Sequence, residues 1–326
     1  MAKDANKFVS NNIEYSVLRN PEYFYGSLKK AHTLANDYIR VIPNVTKDVY
    51  LKKLAGNGTV SQVDGRDCAW QPTSGATLDG VTMSVKNYKI NIEQCLEDLD
   101  SIYSEQAYNT IGATKDKFPT AEAGAESLED ALMFIIQNEL SNDIEKLIWG
   151  GEGNEVAGIK DGIVDKALAD STTIKITGQT IDASNVIGEI QKVYNAIPDR
   201  VLNEGEFEPE KAPVKIFVDM TTMRYLKQAL STTPTSYQVV LPSFAVEGGK
   251  IYYMGVEIVT VGLPKGFMVA ASKDNLVFLT DLLSDTQTIR AQMGNDLYDE
   301  AKWYVKGAYR ANAGYIFGSE LVVYSR

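Results

Sequence analysis

Histidine is the scarcest of the residues in this chain that could carry out nucleophilic or acid–base chemistry. His32 is the only histidine among 326 residues. A serine or cysteine nucleophile usually needs a histidine base within hydrogen-bonding distance. His32 lies in a segment, 26–40, whose pattern predicts a short helix, and there it is interpreted as a surface or interface residue. We therefore predict no catalytic residue and no enzymatic activity.

Two acidic clusters could bind a cation or act as paired carboxylates. Carboxylates alternate along one segment, at Glu204, Glu206, Glu208 and Glu210. Four such groups could hold a hard cation such as Ca²⁺, but the spacing is not that of an EF-hand, and runs of charge are normally solvated loops. The second cluster consists of Glu93, Glu97, Asp98 and Asp100. It has no aromatic sugar platform nearby for glycoside hydrolysis. We predict solvated surfaces at both, with a cation at 204–210 as the alternative.

A glycine cluster and two cysteines complete the motifs. The cluster Gly150–Asn154 follows a helical pattern and has no lysine, whereas a phosphate-binding loop precedes its helix and usually carries Lys-Ser/Thr. It is predicted to end the helix. Cys68 and Cys95 belong to no CxxC pair and are predicted to be free thiols, as expected in a reducing compartment. The sequence therefore predicts neither a metal site nor a cofactor.

The charge is acidic overall and unevenly distributed. The net charge is -11, yet residues 1–60 carry nine Lys or Arg against five Asp or Glu, which leaves -15 on the remainder. A nucleic-acid-binding protein needs a basic face, so sequence-specific DNA binding is not predicted. The N-terminus has no apolar signal core, and no run of 18 apolar residues exists that could span a membrane.

Trp70 is the one aromatic side chain in a polar segment, residues 61–80, that is rich in Gly, Ser, Thr and Asp. Such a composition predicts an exposed loop or ribbon. A tryptophan in that setting often anchors a protein–protein contact, and the alternative is that it folds back on its own core. We predict that Trp70 contacts another subunit.

The elements that must position these residues begin with a long helix at 128–149. Its apolar residues recur at helical spacing, Ser127 is a plausible N-cap, and Gly150-Gly151 supplies the end. At 1.5 Å per residue this helix is about 33 Å long. Strand alternation precedes it at 81–93, with a change of phase near Lys86-Asn87 that predicts a bulge or twist.

The region after the long helix has the mixed pattern of an α+β domain. Residues 156–181 are predicted as turns and short strands. Further elements are predicted as helices at 183–197 and 221–230 and as strands at 214–218, 251–261, 267–271 and 276–280. The segment 285–326 is again strand-rich. We expect its strands to return and pair with the strand at 81–93.

The order of these elements resembles the major capsid proteins of tailed bacteriophages, which have the Hong Kong 97-type fold. The resemblance covers the chain from about residue 45 onward, and order and spacing carry it more than any single motif. The segments that carry it are CAWQP (68–72), VTMSVKNYKINIEQCLEDL (81–99), ESLEDALMFIIQNELSNDIEKLIWGGEGN (126–154), PVKIFVDMTTMRYLKQAL (213–230) and GVEIVTVGLPKGFMVAASKDNLVFLTD (255–281).

The resemblance implies an architecture with named parts: an arm, an extended E-loop, a peripheral (P) domain with a long spine helix, and an axial (A) domain. It predicts an N-terminal arm at 1–44, a strand and E-loop at 45–80, and the P-domain strand and spine helix at 81–155. The A-domain would follow at 156–284, and C-terminal strands at 285–326 would return to the P-domain.

The function implied is self-assembly into hexamers and pentamers of an icosahedral shell that encloses double-stranded DNA, without sequence-specific binding or a membrane. The expected location is the virion, after assembly in the host bacterial cytoplasm, with scaffold, portal and decoration proteins as further partners. The residues expected to make assembly contacts are Trp70, Gln71, Pro72, Thr73 and Ser74. The alternatives are an encapsulin-like compartment or, from another class, an α+β hydrolase or carbohydrate-binding protein. The contacts of the basic arm, with neighbours, scaffold or DNA, stay open.

Overall fold

The computed structural model describes residues 30–57, 75–95, 128–151, 156, 161–202, 214–232, 244–281, 289–293 and 302–326. Among them, no helix is both long enough and apolar enough to cross a membrane. The α-helices are α1 (His32–Ala35), α2 (Leu128–Trp149), α3 (Ile163–Ala169), α4 (Val186–Asn195), α5 (Asp199–Leu202) and α6 (Met220–Thr232).

The strands form a two-stranded, a five-stranded and a seven-stranded sheet. In chain order they are β1 (Arg40–Ile42), β2 (Val49–Asn57), β3 (Gly75–Met83), β4 (Lys86–Cys95), β5 (Ile174–Thr177), β6 (Val214–Val218), β7 (Phe244–Glu247), β8 (Lys250–Tyr253), β9 (Val256–Thr260), β10 (Met268–Ser272), β11 (Leu276–Thr280), β12 (Ile289–Met293), β13 (Lys302–Tyr315) and β14 (Val322–Ser325).

The long helix α2 begins and ends where the sequence predicts. Its final residue, Trp149, is followed by Gly150 at φ 64° and Gly151 at φ 90°, a left-handed conformation that glycine adopts without steric cost. The Gly150 N–H donates to the carbonyl of Lys146 at 2.7 Å and closes the last turn. The prediction that this glycine cluster ends the helix is confirmed.

The five-stranded sheet is built around β13, the longest strand. Along one edge β13 pairs antiparallel with β4, and along the other it pairs with β11 and β12, while β1 adds to β11 in parallel. The predicted pairing of a C-terminal strand with the strand at 81–93 is therefore confirmed. Tyr88 lies opposite Tyr309 in this register, and their rings stack with centroids 5.2 Å apart.

The seven-stranded sheet has the order β5-β14-β10-β6-β9-β8-β7. Its strand β6 is apolar almost throughout because both faces are buried. Phe217 packs in the core beneath α2, whereas Ile216 and Val218 pack in a second core with Val193 of α4 and Leu226 of α6. A strand covered on both faces explains why four of the five residues at 214–218 are apolar instead of every second one.

The change of phase near residue 86 has a different cause from the one predicted. Ser84 and Val85 interrupt the strand, so that β3 ends at Met83 and β4 begins at Lys86. Because β3 pairs with β2 and β4 pairs with β13, the chain changes sheets at this point. Met83 and Tyr88 are both buried, each in a different apolar cluster. The prediction of a bulge or twist at this point was wrong, whereas both apolar sets do reach a core, as that prediction required.

Two further elements differ from the sequence prediction. The segment predicted as turns and short strands contains the helix α3. The strand predicted over 251–261 is a hairpin, in which β8 and β9 pair antiparallel across a tight turn at Met254 (φ 48°) and Gly255 (φ 85°). In addition, β14 lies between β5 and β10 of the seven-stranded sheet, whereas β12 and β13 lie in the five-stranded sheet. The predicted domain boundaries themselves stay a prediction.

Leu140→Asp tests the packing of α2. Leu140 is buried in the core under the helix, so the substitution places a carboxylate there without a partner. We expect a loss of roughly 3 kcal/mol or more in the free energy of unfolding, measured by urea denaturation. Glu139→Asp introduces the same residue at the neighbouring exposed position and should change stability little. Equal stability of the two variants would contradict this packing.

Candidate functional site

The residues singled out for chemistry are not brought together by the described part of the chain. His32 is exposed at the start of α1, with its ring 6.2 Å from that of Tyr38. Among the described residues, no hydrogen bond joins the His32 ring to a serine or cysteine, and no three His, Cys, Asp or Glu side chains are grouped to hold a metal ion. Glu93 is exposed on β4.

Most of the other predicted site residues lie outside the described residues. The assembly contacts expected there are Trp70, Gln71, Pro72, Thr73 and Ser74. The same holds for Cys68 and for the acidic residues Glu97, Asp98, Asp100, Glu204, Glu206, Glu208 and Glu210. The strands that flank 58–74 are described, and they define the framework of that segment.

The framework is a hairpin formed by β2 and β3, which we call the β2–β3 hairpin (49–57 and 75–83). Its strands pair antiparallel from Val49 opposite Met83 to Asn57 opposite Gly75, and among the described strands each pairs only with the other. Nine residues at about 3.4 Å each give a ribbon about 30 Å long. Of the ribbon predicted at 61–80, the described part is the beginning of β3 from residue 75, and its partner strand β2 begins at residue 49.

Tyr50 is a large aromatic side chain on this ribbon that the sequence analysis did not single out. It is 56% exposed, and its ring lies over Gly80 on the partner strand. A Cβ atom at position 80 would lie 2.1 Å from the ring, so this placement requires glycine. An exposed aromatic ring on a ribbon is suited to packing against a second protein surface.

The segment 30–42, which we call the arm segment, lies along a buried polar stripe of α2. The stripe recurs every fourth residue, at Gln137, Ser141, Glu145 and Trp149. Lys30 Nζ donates to Gln137 Oε1 at 3.1 Å at one end of the stripe. At the other end, Thr33 meets both Glu145 and Trp149. Polar residues at spacing i+4 beside an apolar stripe are the sequence signal that could have revealed this docking site.

Glu145 is the centre of the docking site. Its carboxylate is 8% exposed and accepts hydrogen bonds from the Thr33 N–H at 3.0 Å, the Thr33 hydroxyl at 2.5 Å and the Trp149 indole N–H at 3.3 Å. A fourth comes from the Gly262 N–H at 3.1 Å. A Cβ at position 262 would lie 2.4 Å from Glu145 Cγ, so only glycine permits this approach. The buried charge is thereby satisfied by the arm segment, α2 and the loop after β9.

A second set of contacts fixes the arm segment to the seven-stranded sheet. Tyr38 packs edge-on against Phe217, and Lys215 Nζ lies 5.3 Å from the centre of the Tyr38 ring. Burial raises the pKa of the Tyr38 hydroxyl, and the nearby Glu257 carboxylate adds to that shift. Burial opposes ionisation of Glu257 itself, but ion pairs with Lys215 and Lys250 outweigh this and hold its pKa below the usual value.

Comparisons with known proteins identify the fold. No protein-family model matches the chain, and no curated protein matches it. Among solved structures, the chain is similar to the procapsid of satellite phage P4 including its size determination protein, with a TM-score of 0.53 and 9% identity over 92% of this chain and 96% of that one.

Two structures of GTA particles give the same result. The capsid of the empty GTA particle matches with a TM-score of 0.52 and 9% identity, and that of the native particle with 0.51 and 10%. Each match covers 90% of this chain and 89% of the other. The chain thus has the Hong Kong 97-like α+β capsid fold, as its sequence predicts.

Thr33→Val tests the docking of the arm segment. The substitution preserves shape but removes the hydroxyl that donates to Glu145 and accepts from Trp149. We expect a loss of about 1–3 kcal/mol in the free energy of unfolding and faster limited proteolysis of the arm segment. Thr33→Ser keeps the hydroxyl and serves as the control. If valine and serine give the same stability and cleavage rate, the hydroxyl does not hold the arm segment.

Proposed function

We propose that the chain is the major capsid protein of a tailed bacteriophage, which assembles into an icosahedral shell around double-stranded DNA. The observation that carries the proposal is the near full-length likeness to a procapsid subunit, 92% of this chain against 96% of that one. A likeness of that extent leaves few residues of either chain outside the comparison, so it concerns the whole fold and not one small motif.

The two extended elements support a function in lateral contact between subunits. The β2–β3 hairpin pairs with no other described strand, and beyond its packed base its exposed residues, such as Tyr50, are available to a neighbour. The arm segment contacts α2 and both sheets. Its contacts therefore attach residues 1–29 to the part of the molecule that contains α2 and the sheets. Contacts through such extensions join subunits without requiring a large flat interface on the body.

The charge distribution favours a container for DNA over a DNA-binding protein. Beyond residue 60 the chain carries a net charge of -15, which repels a polyanion from the shell wall. We propose hexamers and pentamers of this chain as the assembly units, a structural and non-enzymatic role, and location in the virion after assembly in the host bacterial cytoplasm. Scaffold, portal and decoration proteins complete the proposed set of partners.

Within this proposal the parts of the chain take the roles that the resemblance assigns. The arm is 1–44, the E-loop with its leading strand is 45–80, and the spine helix lies in the P-domain at 81–155. The A-domain is 156–284, and 285–326 holds the C-terminal strands. The β2–β3 hairpin provides the stem of the proposed E-loop.

Expression of the chain followed by size-exclusion chromatography and electron microscopy tests the proposal. We expect capsomers or closed shells, with nucleic acid or no cargo inside. Shells loaded with a cargo protein would instead support an encapsulin-like compartment. A stable small oligomer under all assembly conditions would contradict a shell function and favour the hydrolase or carbohydrate-binding alternative.

Trp70→Ala tests the proposed assembly contacts at Trp70, Gln71, Pro72, Thr73 and Ser74. If Trp70 contacts a neighbour, its removal should leave the melting temperature of unassembled protein almost unchanged and reduce the yield of sedimenting particles several-fold. Trp70→Phe retains an aromatic ring and should assemble better than the alanine variant. A large fall in melting temperature would place Trp70 in its own core, and normal assembly would place the contact elsewhere.

A further inference from the structure

We propose that Arg310 and Asn312, two residues of β13, form a clasp that fixes the direction in which the β2–β3 hairpin leaves the body. The chain enters the hairpin through Thr46 and leaves it through Ser84, and the clasp binds the backbone at both points. The consequence for shell geometry rests on the proposed function, whereas the clasp itself is a property of the single subunit.

The incoming chain is held by Arg310. Its guanidinium donates from Nη1 to the Thr46 carbonyl at 3.1 Å and from Nε to Asn87 Oδ1 at 2.9 Å. Asp281 accepts a hydrogen bond from the Arg310 backbone N–H at 2.8 Å, and its carboxylate lies 3.8 Å from Nε. A planar guanidinium with several donors in fixed directions restricts the orientation of the groups it binds.

The outgoing chain is held by Asn312, which is 6% exposed. Its side-chain N–H donates to the Ser84 carbonyl at 2.5 Å, while its Oδ1 accepts from Lys166 Nζ at 2.6 Å. The NH2 group and the carbonyl oxygen of the Asn312 side chain are therefore both hydrogen-bonded, and the bond from Lys166 fixes the orientation of the amide. Burial lowers the pKa of Lys166, and the nearby Asp161 carboxylate opposes this shift. The Asp161 carboxylate lies 3.7 Å from Lys166 Nζ and 2.8 Å from Lys86 Nζ.

Between the two halves of the clasp lies a small apolar cluster. Its buried members are Val45, Met83, Val277 and Leu279. Apolar packing is not directional, so these side chains hold the base of the hairpin against β11 without selecting one angle. Hydrogen bonds weaken steeply when they bend, so the contacts of Arg310 and Asn312 can select it.

The direction of the hairpin matters because a small rotation at its base produces a large displacement at its tip. For a ribbon about 30 Å long, a tilt of about 10° at its base moves its tip by roughly 5 Å. A displacement of that size exceeds the length of a hydrogen bond. A shell built from such subunits requires the tips to reach the same place on every neighbour, so a loose base should produce particles of mixed size.

The double variant Arg310→Met with Asn312→Leu removes the clasp and keeps side chains of similar volume. Lys306→Met, at an exposed position of the same strand, is the matched control. Spin labels at Asn57→Cys, at the far end of β2, and at Lys227→Cys on α6, in a Cys68→Ser, Cys95→Ser background, report the hairpin direction as a distance distribution. The measurement is double electron–electron resonance on unassembled protein.

We expect a narrow distribution for the parent and the control, and one at least twofold wider for the double variant. If the double variant does not fold, Arg310→Met and Asn312→Leu are measured singly, and each should widen the distribution. An unchanged width in the variants, or a parent already as wide as the variants, would overturn the clasp.

The size of assembled particles distinguishes a failure of the clasp hypothesis from a failure of the proposed function. Electron microscopy of assembled parent and variant should show one size class for the parent and several for the double variant. Uniform variant particles would overturn the link between the clasp and shell geometry. If the parent forms no particles at all, the proposed function fails, while the distance measurement on the subunit still decides whether the clasp exists.

Discussion

The antiparallel ladder between β4 and β13 is the interaction on which the other parts of the molecule depend. It joins Lys86–Cys95 to a strand that begins at Lys302, with all ten residues of β4 in register. One end of the ladder sets the position of the hairpin, because β4 is the continuation of β3. The other edge of β13 holds β11 and β12, and β11 in turn holds the arm segment through β1. A strand with partners on both edges is therefore the common support for both extensions.

The buried carboxylate of Glu145 serves specificity more than stability. A salt bridge or charge in a core gains little net free energy, because desolvation opposes its attractive contacts. Glu145 nevertheless selects one arrangement, since its four donors come from the arm segment, from α2 and from the loop at Gly262. Any shift of the arm segment along α2 would remove the two donors that Thr33 supplies and leave that charge with only half of its partners. The position of the arm segment is thus specified by the free energy that any other position would lose at the buried Glu145 carboxylate.

Elements with strong local signals could be predicted from the sequence, and elements fixed by distant partners could not. The helix 128–149 has a long apolar stripe and a glycine end, and its limits are confirmed. The hairpin at Met254 was missed because a methionine at positive φ has no local signal. The helix α3 is only seven residues long, so its apolar pattern resembles that of a short strand.

The candidate site likewise combines features with a local sequence signal and features fixed by distant residues. The exposed character of the ribbon is visible in its composition, but the contacts that orient it are not. Arg310 and Asn312 lie in a strand-like segment more than 200 residues away from Thr46 and Ser84. Nothing in the local pattern distinguishes them from other polar residues on the exposed positions of a strand. Only the strand register brings them to the base of the hairpin.

The position of β14 has a consequence for the order of events during synthesis. Val322–Ser325 inserts between β10 and β5, so β5 cannot join the seven-stranded sheet until residue 325 has left the ribosome. Until then β10 and β5 each present an unpaired edge, which a ribosome or chaperone can shield. A chain that has been synthesised only as far as β13 consequently holds every other strand of this sheet but cannot yet close it.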